Sequence, residues 1–241
     1  MKLNIAENYR KIQDVVRESE RRYGRPEGSV QIIAVSKTQP VDAIQEALAA
    51  GVTDLGENRV QDALPKVAAV GTEPCWHFIG HLQSNKAVKV APVFDMVHGV
   101  DSMKLARALG RHVGEAGRQL DVLVQVNTSG EATKSGCEPD QAHELMSDVA
   151  EVSGLQLRGL MTIGPLTDEA EAVRVSFRTL RRLLDTAKQQ RIGGDALDIL
   201  SMGMSGDFEM AIAEGATHVR IGTAIFGPRR TVNAVHQGET P

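Results

Sequence analysis

The chain has 241 residues, 41% of them hydrophobic, and a formal net charge of −4. That is enough apolar material for one large domain or two small ones, and the acidic balance argues against a dedicated nucleic-acid binder, which carries a basic excess. Cys75 and Cys137 are too few for a disulfide framework or a zinc cluster. With no signal-peptide core at the N-terminus and no apolar run approaching the ~20 residues that cross a bilayer, the expectation is a soluble, cytoplasmic protein.

In chain order, Leu3, Tyr9, Ile12, Val15 and Val16 recur at helical spacing and predict an opening amphipathic helix that ends near Gly24. Short apolar runs then alternate with helical patterns, which is the signature of βαβ units. Strands are predicted at 30–36, 52–55, 76–79, 94–98, 121–127, 156–162, 197–201 and 218–221. Helices are predicted between them at 40–50, 58–69, 84–90, 102–117, 139–152, 168–190 and 207–214. Eight β-then-α units with no Pro/Gly-rich linker predict an α/β fold, a single closed (β/α)8 TIM barrel preceded by an N-terminal helix. A doubly wound open sheet is the runner-up, but it ordinarily leaves recognisable edge strands. The barrel domain is expected over 1–230, and "TVNAVHQGETP", 231–241, reads as a flexible tail.

In such barrels the active site lies where strands run into the following loops, and unusual residues collect there. The segment "IIAVSKTQP" ends a buried strand in Ser36 and Lys37. A strand-end lysine either snorkels, stem packed and ammonium in water, or serves as a partly desolvated amine that attacks a carbonyl. Strand 7 runs into "SMGMSGD" and strand 8 into "RIGTAIFG". Loops after strands 7 and 8 form the recurrent phosphate site of these barrels. Backbone N–H groups of Gly222 and Thr223, with the hydroxyls of Ser205 and Thr223, can face an anion there. The competing reading is turn and capping chemistry with Ser205 or Asp207 as N-cap. Strands 8 and 1 are neighbours in a closed barrel, so a ligand with a phosphate at one end and an aldehyde at the other would bridge cradle and lysine. Pyridoxal 5′-phosphate has that shape, and Arg220, two residues before Gly222, can point inward toward its ring nitrogen.

The segments "AVSKTQP", "GENRVQD", "WHFIGHLQSNK", "LVQVNTSGEATKSG", "GLMTIGP", "SMGMSGDFEMAIAEG" and "RIGTAIFG" resemble the pyridoxal-phosphate homeostasis proteins of the YggS/PROSC type, over residues 3–230. The resemblance implies that Lys37 holds the cofactor as a Schiff base. It implies that Ser205, Gly222 and Thr223 hold the phosphate, that Arg220 faces the pyridine nitrogen, and that Asn58 and Met202 line the pocket. It further implies a role in vitamin B6 and amino-acid homeostasis without established turnover, with apo-enzymes that use pyridoxal phosphate as possible recipients. Leu55 stands where the family often has an aromatic residue. The fold also resembles the N-terminal barrel of alanine racemases, whose further β-domain brings a catalytic tyrosine to the cofactor across a dimer. Here the two tyrosines, Tyr9 and Tyr23, both fall in the first helix, so two-base racemisation lacks a partner. The expectation is a monomeric, non-enzymatic carrier that binds neither nucleic acid nor membrane. A low-activity racemase and a lysine aldolase are the rivals.

The remaining polar residues have plainer readings. His77 and His81 lack a carboxylate or cysteine to complete a metal set, which makes His77 a core or supporting group and leaves no metal expected. Asn85 and Lys86 read as helix-capping residues. "RTLRRLL" from Arg178 reads as a solvated basic face. Cys137, near Lys134 in a loop, is a possible reactive thiol.

Overall fold

The computed structural model describes residues 4–131 and 133–228. Helix α1 (Ile5–Arg22) opens the chain, its first turn capped by Asn4, whose side chain accepts from the backbone N–H of Glu7 at 3.0 Å. Ile5, Tyr9, Ile12 and Val16 form its buried stripe. The alternating units follow as β1 (Gln31–Val35), α2 (Val41–Ala49), β2 (Asp54–Glu57), α3 (Val60–Val70), β3 (Cys75–Phe78) and α4 (Ala87–Val90). Next come β4 (Met96–Val100), α5 (Met103–Glu115), β5 (Leu120–Gln125), α6 (Ala142–Ala150), β6 (Leu155–Met161) and α7 (Ala170–Gln189). The last are β7 (Ile199–Met204), α8 (Phe208–Ala213), β8 (His218–Ile221) and α9 (Thr223–Phe226).

Each strand pairs in parallel with the next, and β8 pairs with β1, so the expected eight-stranded barrel closes. The opening helix and all eight strands lie where the periodicity put them, within a few residues. Leu3 and the tail at 231–241 fall outside the described residues. Three strands run further than expected. β2 continues through Gly56 and Glu57, and β4 through Gly99 and Val100. β7 carries on to Met204 across a register shift at positive-φ Gly203, where the sequence suggested a turn.

Side chains alternate between two environments. One set, including Leu55, Trp76, Phe78, Val97 and Met202, packs outward against the helices in a continuous core. Each such large apolar side chain contributes about 1.5–3 kcal/mol when fully buried. The barrel interior is different. Its apolar cluster is small, Met96, Leu123, Met161 and Ile199, and buried Asp54, His77, His98, Ser201 and Arg220 occupy much of the rest. The wall is tight at β6, where a Cβ on Gly159 would lie 1.9 Å from the Ile199 carbonyl oxygen.

α1 lies along α2, α8 and α9. Near its start, Asn8 Nδ2 donates to Ile225 O at 3.0 Å, and Ile5 N donates to Glu46 Oε1 at 3.3 Å. Near its end, Glu20 accepts from Val30 N at 2.8 Å and Gly28 N at 3.0 Å. The helix therefore ties the loop after β8 to the start of β1. Among the described residues, no helix is long and apolar enough to cross a membrane.

Candidate functional site

A cavity of about 610 Å³ opens at the C-terminal ends of the strands. Lys37, Asn58, Ser205, Arg220, Gly222 and Thr223 all line it. The strand register explains why residues so distant in sequence meet there. β8 pairs with β1 at Ile33↔Arg220 and Ala34↔Ile221, and β7 with β8 at Met204↔Arg220. The loops carrying Lys37, Ser205 and Gly222 thus leave three adjacent strands side by side. Met202 is placed elsewhere. It alternates with inward-facing Ser201, is fully buried in the helix-facing core, and leaves the cavity wall to Met204.

Lys37 sits in a tight turn closed by Gln39 N donating to Ser36 O at 2.9 Å. The next residue, Thr38, has φ of 66°. That left-handed conformation is costly for a β-branched side chain and occurs where surrounding structure enforces it. Behind the turn, the Ser36 hydroxyl donates to Glu57 Oε1 at 2.6 Å. Lys66 Nζ donates to the same oxygen at 2.7 Å and to Ser36 O at 2.8 Å. On β2's loop, Asn58 backs onto the β3 loop so closely that a Cβ on Gly80 would lie 2.4 Å from Asn58 O.

On the β7–β8 side, Ser205 Oγ accepts from Gly222 N at 3.3 Å and Ala224 N at 3.4 Å. Asp207 precedes α8, and its Oδ1 accepts from Met204 N at 2.5 Å, bracing the loop. Asp207 holds the N-cap position of α8 without a side-chain cap bond, while Ser205 Oγ gathers two N–H groups at the start of α9.

Arg220 is 4% exposed. Its Nη1 donates to Ser201 Oγ at 2.7 Å and its Nη2 to Thr162 O at 2.8 Å. Burial pulls its guanidinium down to about 10, and it stays charged at neutral pH. The lining holds three cationic side chains, Lys37, Lys134 and Arg220, and no carboxylate among the described residues. In a chain of net charge −4, the lining is locally basic, with Lys134 paired to Glu131 at 2.6 Å.

Several lining residues had no role in the sequence reading: Gln125, Lys134, Ser135, Ile163 and Met204. The β5–α6 loop folds back over the cavity. Cys137 N donates to Gln125 O at 2.9 Å, and Gln125 Nε2 donates to Ser135 O at 2.8 Å. Gln125 Oε1 is buried without a partner. The glycine-rich "SGEATKSG" hinted at a loop, but nothing in it foretold a return onto its own strand. Cys137 is buried in that fold-back, and burial pushes its thiol up to about 11. The expectation of a reactive thiol there is therefore corrected, because the thiolate is disfavoured.

Other expectations also change. Asp54 and Cys75 stand beside His77, with ligand-type atoms mutually within 4.8 Å, so a carboxylate and a cysteine do accompany that histidine. Asp54 and His77 are already hydrogen-bonded at 2.9 Å. Burial, with nearby Asp54, Asp95 and Asp121, pushes the Cys75 thiol up to about 12. Asn85 and Lys86 lie in a 3-10 turn, Ser84–Lys86, that has no side-chain cap bond. Arg178 is tied to Glu214 at 3.1 Å and to Glu171 at 3.4 Å, so the basic face of α7 is partly neutralised.

Buried His98 and half-buried His218 make a pH prediction. Burial holds His98 well below its ordinary value, and His218 is pushed down to about 4 by burial and then by His77. Between their folded values and about 6.5, the unfolded chain binds protons that the folded chain does not. Stability should therefore fall as pH drops from 7 toward 4. Urea midpoints across that range should decline, with a shallower decline in His218→Gln. Flat midpoints from pH 7 to 5 would contradict neutral imidazoles.

The chain matches the family model described as alanine racemase, N-terminal domain, over residues 3–230. It is 47% identical over 226 residues to the pyridoxal phosphate homeostasis protein of Pseudomonas aeruginosa, covering 93% of this chain and 96% of that one. Its fold superposes on PipY of Synechococcus elongatus, solved with PLP bound, with a TM-score of 0.80 and 39% identity. That match covers 92% of this chain and all of PipY (100%). Alanine racemase of Corynebacterium glutamicum gives a TM-score of 0.71 at 16% identity, covering 97% of this chain but 64% of the racemase, a likeness of fold alone. From its sequence and its barrel, the chain belongs to the pyridoxal phosphate homeostasis protein family, built on the alanine racemase N-terminal fold.

Proposed function

We propose that the cavity binds pyridoxal 5′-phosphate and that the protein buffers or delivers it in the cell's vitamin B6 economy, without turnover. The observation that carries this reading is the lining itself: Lys37 beside the Ser205–Gly222–Thr223 seam, Arg220 beneath, and no carboxylate among the described residues. The volume, about 610 Å³, suits a small ligand. The ligand supplies an aldehyde that condenses with a primary amine, losing water. Lys37 is the amine placed for it. Ser205 and Thr223 would donate to the phosphate from their hydroxyls, Gly222 would border it with an N–H shared with Ser205 Oγ, and Asn58 borders the same space. Arg220, charged and without an acceptor, can only donate to a ring nitrogen. That leaves the nitrogen without an added proton and the ring a weak electron sink, which suits holding over turnover.

No tyrosine lines the cavity among the described residues, and Tyr9 is buried on α1. The second acid/base of a racemase therefore has no candidate, in keeping with a carrier. The described lining comes from one chain, which supports binding by a monomer. Two free cysteines are compatible with a reducing cytoplasm. Apo-enzymes that need the cofactor are the partners this role calls for. Exchange of the α-proton of amino acids in deuterated water tests the carrier reading. Only trace exchange is expected, and stereoinverting exchange at ordinary enzyme rates would make the protein a racemase.

The anchor makes a separate prediction. Ser205→Ala and Thr223→Ala each remove a hydroxyl donor to a dianion, and hydrogen bonds to charged groups contribute about 1.5–3 kcal/mol. Affinity for pyridoxal phosphate should fall roughly ten- to hundredfold per site. Ser205→Ala should cost more, because Ser205 Oγ also holds Gly222 N and Ala224 N. Titration by absorbance settles it, and unchanged affinity in both variants would place the phosphate elsewhere.

A further inference from the structure

The barrel interior contains a continuous hydrogen-bonded chain from the cavity floor to the opposite pole. Arg220 Nη1 donates to Ser201 Oγ at 2.7 Å. Ser201 Oγ lies 2.9 Å from His98 Nδ1, and His98 Nε2 lies 2.9 Å from His77 Nδ1. His77 Nε2 lies 2.9 Å from Asp54 Oδ1. All five side chains are buried. They come from β8, β7, β4, β3 and β2, so the chain crosses the barrel as well as running down it.

Its direction is set at the Asp54 end. A guanidinium can only donate, and an ionised carboxylate can only accept. Asp54 therefore takes the proton of His77 Nε2 and, with one proton on the ring, Nδ1 accepts. His98 must then donate from Nε2 and accept at Nδ1, and Ser201 donates to it while accepting from Arg220. With one proton on each ring, His77, His98 and Ser201 each make one donation and one acceptance along the chain, and both rings carry that proton on Nε2. Burial tends to raise the Asp54 carboxyl, but hydrogen bonds from His77, Thr53 and Gln31 outweigh it and hold it below the usual range. Burial keeps His98 neutral.

We infer that Asp54, at the pole of the barrel remote from the cavity, is a positioning residue for Arg220, acting through His77, His98 and Ser201. Among the described residues, Arg220 has no carboxylate as a hydrogen-bond partner; its partners are Ser201 and Thr162 O. Its orientation toward the cavity depends on Ser201 keeping an oxygen lone pair toward it. That in turn depends on His98 accepting the Ser201 proton, and so on down to Asp54. The chain stands on geometry alone; that Arg220 meets pyridoxal phosphate rests on the reading above.

Asp54→Asn reverses the chain without removing an atom from it. Asp54 Oδ2 accepts from Thr53 Oγ1 at 2.6 Å and from Gln31 Nε2. Those two donors keep the amide oxygen on their side and turn the NH2 toward His77 Nε2, which must become an acceptor. Both rings then move their proton to Nδ1. His98 becomes a donor to Ser201, whose own proton loses its acceptor beside Arg220.

Long-range 15N–1H spectra of the full chain with labelled histidine and arginine, ligand-free, read the tautomers and the Arg220 Nε resonance. Wild type should show Nε2–H at His77 and His98. Asp54→Asn should show Nδ1–H at both, with a shifted Arg220 signal. Ser201→Ala should keep both Nε2–H tautomers and also shift Arg220. Added pyridoxal 5′-phosphate should bind about two- to tenfold more weakly to either variant, the range for one ordinary hydrogen bond. A folded Asp54→Asn protein with His98 still Nε2–H would overturn the inference, as would an Arg220 signal unmoved in both variants. If wild type fails to bind pyridoxal phosphate, the proposed function falls, while the tautomers and the Arg220 signal still decide this point.

Discussion

Replacing Lys37 with alanine or arginine is expected to abolish covalent capture of pyridoxal phosphate while leaving a weaker, phosphate-anchored complex. Borohydride reduction of the loaded wild type should fix a pyridoxyl group on the peptide containing Lys37, and neither variant should carry one in the cavity. Arginine keeps the positive charge but offers no amine that condenses with an aldehyde, so the pair of variants separates electrostatics from chemistry. The other lining lysine does not substitute. Lys134 Nζ donates to Glu131 Oε1 at 2.6 Å and to Gly164 O at 2.7 Å. Those bonds engage its nitrogen with acceptors of the surrounding loops. The wall formed by Ser205, Thr223 and Arg220 is untouched by the substitution, so residual binding should persist and should compete with inorganic phosphate. A pyridoxyl group recovered at another lysine, with Lys37 unmodified, would defeat the assignment.

The sequence made the outline of this site readable because barrel topology is periodic. An apolar run marks a strand, its end marks the catalytic rim, and closure makes strands 8 and 1 neighbours. Lys37, Ser205, Arg220 and Gly222 could be placed on one rim from those rules alone. Met202 could not, because the register shift between Ser201 and Met204 moves the rim residue two positions on. Glu57 and Asp54 were hidden for a related reason. A strand that buries charge does not read as apolar, so the pattern ends at Leu55, short of Glu57, and gives Asp54 no role. The chain from Asp54 to Arg220 is invisible in sequence, since its five members come from five strands and meet only through closure. The fold-back of Thr133–Cys137 onto Gln125 likewise depends on long-range hydrogen bonds, which no local pattern encodes.

The largest effect on stability is expected from Lys66→Met, at a residue outside the cavity. Glu57 is wholly buried, and Lys66 Nζ reaches its Oε1 at 2.7 Å. The Ser36 hydroxyl reaches the same oxygen at 2.6 Å, while Oε2 has no hydrogen-bond partner among the described residues. A buried ion pair contributes little net stability against a hydrophobic replacement of both partners. Removing one partner is different, because it strands a charge in a low-dielectric interior at a cost of about 3–5 kcal/mol. Against a total stability of about 5–15 kcal/mol, the variant should be severely weakened at neutral pH. Glu57→Gln with Lys66→Met should recover much of the loss, since the double variant buries no charge. Lys66 also donates to Ser36 O at 2.8 Å, one residue before Lys37. The single variant should accordingly form its covalent adduct more slowly even where it remains folded. Urea unfolding of the single and double variants at pH 7.5 provides the test. A single variant within about 1 kcal/mol of wild type at pH 7.5 would show that the Glu57 carboxylate is not held by Lys66.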